Sequence, residues 1–208
     1  MSKTFDRFLK QYNSTGREKG DGYDASHFKG LTSEELDKAE EMLINDAMLL
    51  DTTAIQGLGE LKTANSEIAL RLLLSKVKAP SKIHISVVSA LWEITHDINL
   101  QRNILENYDC KDEELKRQAA IVLEYTTPSL TTFKTFVEIL RTASEESILR
   151  IIASSGILYY YKLINSPSDL VNIQKHMSLI RLLSDSFDED SLFAALAEVQ
   201  KEAAKLKG

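Results

Sequence analysis

The chain is short of the residues that disulfide-stapled and β-rich folds depend on. It has one cysteine, Cys110, so no internal disulfide can form, and a reducing compartment is the natural reading. Three prolines and eight glycines in 208 residues are too few for the many tight turns of a sandwich or barrel. No apolar run of about 18 residues occurs, so no transmembrane helix is expected. The opening MSKTFDRFLKQYNSTGREKGDG has no apolar core of signal-peptide length, and the expected location is cytoplasmic. Histidine is scarce as well. None of His27, His84, His96 and His176 stands three or four residues from another, which excludes a helical metal pair. Gly57-x-Gly59 lacks the third glycine and preceding strand of a dinucleotide site, and Gly16 to Gly22 has no following Lys-Ser/Thr for a phosphate loop. No cofactor, metal or small-molecule substrate is expected.

Charge narrows the partners. Residues 1–30 carry six Lys/Arg against four Asp/Glu, whereas residues 31–208 carry 19 against 27. The body is acidic, which counts against binding nucleic acid, where affinity rests on cations that neutralise phosphates. An acidic body suits a basic protein partner.

What is present is helical periodicity. The stretch Ser81 to Asp97 places Ile83, Val87, Leu91 and Ile94 on one line and Ile85, Val88 and Trp92 on a second. Only one strip, Lys82, Ser86, Ser89, Glu93 and His96, is left polar, so this helix must be covered on several sides. His84 falls inside the apolar arc and reads as a satisfied, partly buried histidine, and Trp92 reads as core. Before it, residues 3–12 form a short amphipathic helix and 13–22 a polar loop, with Tyr23, Phe28 and Leu31 as anchors on the body. Helices follow at about 33–49, 52–62 and 65–77. After the opening rung come helices at 98–108, 113–126, 129–141, 145–161, 168–184 and 189–206, with Asp51, Ser81, Asp112 and Ser168 as caps. The second helix of each pair starts near 51, 81, 112, 145 and 189, at intervals of 30, 31, 33 and 44. The fold class expected is all-α: a solenoid of about five stacked antiparallel helix pairs over 31–208, with the short N-terminal helix and loop of 1–30 packed on it.

The second helices also align residue by residue. Gly57-Leu58-x-Glu60-Leu61 matches Ala90-Leu91-x-Glu93-Ile94 and Ile121-Val122-x-Glu124-Tyr125, with a weaker echo at Gly156-Ile157-x-Tyr159. Helix pairs of this length, with Asp51 or Asp112 at the inner turn and the small-residue-Leu pattern in the second helix, resemble HEAT-type repeats. The rung at Ser81 departs from that pattern, with Ser in place of the Asp and no following Arg. The segment Thr15-Gly16-Arg17-Glu18-Lys19-Gly20-Asp21-Gly22-Tyr23-Asp24, with Gly30-Leu31-Thr32, resembles the opening of bacterial HEAT-like proteins, some of which look like immunity proteins that neutralise secreted antibacterial toxins.

The HEAT resemblance implies that the second helices line a concave face. Their polar strips then supply the candidate partner-binding residues: Gln56 and Glu60; Ser86, Ser89, Glu93 and His96; Arg117 and Glu124; Arg150 and Tyr161. Glu60, Glu93 and Glu124 form the expected acidic ladder. The functional expectation is a non-enzymatic binder that occludes a basic toxin domain, such as a nuclease, without turnover. A scaffold or regulatory subunit is the first alternative. A glycosylase-like enzyme on the same fold would need a basic, aromatic-lined face, which this acidic chain with one Trp does not offer.

Overall fold

A computed structural model describes residues 2–206. Among them the chain is all-α, with thirteen α-helices, one 3-10 turn and no strand. Its helices pack on their near neighbours in sequence, as a helical repeat does. Two compact units divide at Cys110 and Lys111. The first holds α1 (Lys3–Tyr12), α2 (Gly16–Gly20), the 3-10 turn (Ala25–His27), α3 (Ser33–Met48), α4 (Thr52–Leu61), α5 (Ala64–Leu74), α6 (Lys82–Thr95) and α7 (Leu100–Tyr108). The second holds α8 (Glu113–Glu124), α9 (Leu130–Thr142), α10 (Ile148–Tyr160), α11 (Leu170–Lys175), α12 (Met177–Ser184) and α13 (Glu189–Lys205). The helix pair expected over 98–126 is therefore split, with α7 in one unit and α8 in the other.

Capping chemistry sets most boundaries. Thr32 and Glu35 close a capping box on α3; Asp51 accepts from the amides of Thr53 and Ala54 at α4; Ser81 accepts from the His84 amide at α6. Three expectations change. The loop at 13–22 contains the short helix α2. Helix α10 starts at Ile148, because Ser147 rather than the Glu145-Glu146 pair supplies the cap. The helix expected over 168–184 is two helices broken at His176, and Asp169 is its cap in place of Ser168, accepting from the Asn172 amide.

In the first unit α6 is the hub. It packs on α4, α5 and α7, and buries Ile85, Val87, Val88, Ala90, Leu91 and Trp92. The α4–α6 approach is close because both partners are small: a Cβ on Gly59 would lie 3.0 Å from the Ala90 Cα. The N-terminal segment forms its own aromatic cluster. Phe8 is fully buried, with the rings of Phe5, Tyr12, Tyr23 and Phe28 at 5.8, 5.9, 5.7 and 6.0 Å. Among the contacts that fix it to the body, Lys19 pairs with Asp51, and the Ser2 amide donates to Glu35 at 2.6 Å.

In the second unit α10 takes the same place, packing on α8, α9 and α12. It is buried continuously from Ile152 to Leu158. The last pair departs from the expected register: α12, not α13, packs on α10, and α13 packs on α12. The α9–α10 contact holds the tightest helical glycine, where a Cβ on Gly156 would meet the Phe136 ring at 2.3 to 2.7 Å. We expect Gly156→Ala to destabilise the protein by about 1–3 kcal/mol through overpacking. Alanine's better helix propensity, about 1 kcal/mol, offsets part of this. Urea unfolding checks it; an unchanged or raised midpoint would show that the ring yields freely.

Candidate functional site

The first unit brings part of the expected ladder together. Glu60 near the end of α4 and Glu93 on α6 are half-exposed neighbours. Lys62, in the left-handed conformation that ends α4, reaches the Glu93 carboxylate at 3.4 Å. Burial, and to a lesser extent the carboxylates of Glu93 and Asp24, push the Glu60 carboxyl above its ordinary range, with Lys62 acting in the opposite sense. Two carboxylates, Glu60 and Glu93, therefore stand beside the one ammonium of Lys62. Along the same strip, Ser86 returns its hydroxyl to the Lys82 carbonyl at 2.8 Å and Ser89 is half-buried. His96 ends α6 with a positive φ of 48° and sets its exposed ring edge-on to Trp92, which is core as expected.

At the other end of the α4 strip the N-terminal segment makes contact, while Gln56 itself stays exposed. The Gln56 amide donates to the Tyr23 carbonyl at 3.4 Å, and its side chain fills the space beside Gly22. Thr53 donates to the Lys19 carbonyl at 3.5 Å. The N-terminal segment thus lies on the part of α4 that was expected to face a partner.

In the second unit two expected contact residues are structural. Glu124 was expected on a wet edge but is only 8% exposed and meets the Ser155 hydroxyl from α10. That hydroxyl has one hydrogen and three oxygens around it: Glu124 Oε1 and the carbonyls of Ile151 and Ile152. Burial pushes the Glu124 carboxyl up to about 7, against the opposing hydrogen bond from Ser155.

Arg150 was likewise expected on the partner face and is 2% exposed. Its guanidinium donates to the carbonyls of Leu140 and Ala143 at the end of α9, and to those of Ser184 and Ser186 at the end of α12. It also stacks 4.8 Å from the Phe187 ring centroid. A cation set against helix C-terminal carbonyls satisfies orphan acceptors and complements both dipoles.

Arg117 is half-buried and clamped on Glu114 by two bonds of 2.9 and 2.6 Å. Tyr161 accepts from the Gln200 amide at 2.8 Å and packs edge-on against Tyr160 and Phe133. Tyr160 and Tyr161, with Tyr159, Lys162 and Pro128, border a cleft of about 810 Å³. All three adjacent tyrosines, Tyr159, Tyr160 and Tyr161, are half-exposed. Among the described residues no group of three or more His, Cys, Asp or Glu is placed to hold a metal ion.

Scans against protein-family models, curated proteins and solved structures find no match. What these surfaces bind is read from their geometry.

Sequence reasoning missed the partner of His84. The ring is buried, as expected, but the residue that satisfies it is Asn107, 23 positions later on α7. No local pattern marks that pairing.

Two outcomes follow from the second unit. Ionising Glu124 costs stability, because its folded pKa is raised above the unfolded value. Its contribution is full below about pH 4.5, declines as pH rises, and is lost above about pH 7. Glu124→Gln keeps the shape without the charge. It is expected to be more stable than the parent above pH 7, by on the order of 1–3 kcal/mol, and flat between those pH values. Urea midpoints against pH read this directly; parallel profiles would show that Glu124 titrates normally. Arg150→Lys cannot reach the same set of carbonyls and is expected to lose about 2–4 kcal/mol. A calorimetric melting temperature within error of the parent would show that the clamp is dispensable.

Proposed function

We propose that the chain is a non-enzymatic binding protein that engages a basic protein partner by stoichiometric occlusion, through the edge of the first unit carrying Glu60 and Glu93. The observation that carries this reading is the surplus of charge at that edge, where the half-exposed carboxylates of Glu60 and Glu93 stand beside the ammonium of Lys62. Incompletely balanced carboxylates on rigid helices attract and orient a cationic surface, and they raise association rates at low salt. The half-exposed state of Glu60 and Glu93 leaves them reachable, unlike Glu124. The resemblance of residues 15–24 and 30–32 to immunity proteins makes a secreted toxin domain the partner class, and the location cytoplasmic. On this reading the protein acts by covering its target, with no turnover.

The test is complex formation with the product of the neighbouring gene. A basic protein that co-purifies at 1:1 and binds with strong salt dependence supports the reading; no complex at low salt would sink it. Reversing Glu60 and Glu93 to Lys is expected to weaken that complex by roughly tenfold or more, chiefly through slower association. Helical content and melting should stay as in the parent, since both side chains are outside the core.

A further inference from the structure

A second site lies at the other end of α6. His84, Lys78, Glu106, Asp109, Leu74 and Val77 border a cleft of about 570 Å³ between the α5–α6 connection, the start of α6 and α7. Leu74 and Val77 give it apolar lining, and Glu106 and Asp109 give it two carboxylates. An acidic cleft alone would mean little, but the histidine inside it is built in. His84 is 4% exposed, and its orientation is fixed by a fully buried amide.

The amide determines which ring nitrogen is free. Asn107 Oδ1 accepts from the Ser81 amide at 3.1 Å, so the other end of that side chain is the NH2 group. One of its hydrogens goes to the Asn103 carbonyl at 2.8 Å and the other to His84 Nδ1 at 2.7 Å. Nδ1 is therefore an acceptor, and the neutral ring carries its hydrogen on Nε2. Burial lowers the His84 pKa, which holds the ring neutral. Nε2 has no partner among the described residues. No buried side-chain nitrogen or oxygen among them lacks one either, so this N–H is open to solvent, and the cleft is the space its ring borders.

A ligand that satisfies the cleft needs three parts in order. It needs an acceptor for the His84 N–H, an aliphatic stretch for Leu74 and Val77, and a cation for Glu106 and Asp109. Asp109 has no ion-pair partner among the described residues, and Glu106 has only Arg102 at 3.8 Å, on a side chain that is almost fully exposed. Lys78, which is exposed, also lines the cleft and adds a second donor. A backbone carbonyl, an aliphatic stem and a cationic head are the parts of a basic residue in a polypeptide. We propose that this cleft binds an arginine or lysine side chain of a bound polypeptide, with His84 Nε2–H donating to that residue's backbone carbonyl and Glu106 and Asp109 holding its cation. The expectation of a basic partner is shared with the Glu60–Glu93 reading, but the site is separate and is tested without that partner.

The probe is arginine capped at both ends, Nα-acetylarginine N-methylamide, titrated against the full chain at neutral pH. NMR follows the His84 imidazole and the backbone amides of Glu106 and Asp109. Saturable shifts in all three are expected, with no matching shift from the capped glutamate analogue. Glu106→Gln with Asp109→Asn is expected to weaken binding roughly tenfold or more, and both residues are exposed, so the fold is kept. His84→Gln should weaken it while keeping the Asn107 contact. Absence of saturable shifts, equal shifts from both probes, or indifference to the double substitution would overturn the proposal. Tighter binding of free arginine than of the capped form would also overturn it, in favour of a free amino acid. Binding of the capped probe with no effect of Glu60→Lys and Glu93→Lys on any protein complex would uphold this cleft while removing the other surface.

Discussion

A helix that is apolar around more than half its circumference has to be covered on several sides, and both units are built on that requirement. Helix α6 meets α4, α5 and α7; helix α10 meets α8, α9 and α12. Such crowding needs small residues where backbones approach, and the chain supplies them at Gly59 against Ala90 and at Gly156 against Phe136. The polar strips, the clefts and the position of the N-terminal segment all follow from which faces of these two hubs remain uncovered.

Much of the fold was legible because it is written locally. Thr32 with Glu35, Asp51, Ser81 and Asp112 mark helix starts within three residues of themselves, and each does cap the helix expected. The width of the apolar arc on Ser81 to Asp97 announced a hub. Local signals also set the limits. Ser168 and Asp169 are adjacent capping candidates, and nothing in their own chemistry ranks them. The break at His176 depends on packing that periodicity does not encode.

The candidate site was less legible, for a physical reason. Glu60, Glu93 and Glu124 occupy matching positions on their own helices, so pattern alone makes them equivalent. Their environments are set by residues about thirty positions away: Lys62 beside Glu93, Ser155 against Glu124. One residue type at one helical position is thereby a surface charge in the first unit and a buried acid in the second. Arg150 shows the same effect more strongly, since its acceptors lie on two other helices. The Asn107–His84 pair joins residues whose spacing carries no recognisable period.

The Arg150 clamp also bears on how the array behaves as a whole. Stacked repeats are commonly treated as beads on a line, where each pair is stabilised only by its neighbours and the terminal pair frays first. Here one guanidinium closes the ends of α9 and α12 at once, so withdrawing α12 leaves a buried cation and exposes the end of α9 as well. Helix α12 is therefore not detachable from α9 and α10, and the same arginine ties the three into one block.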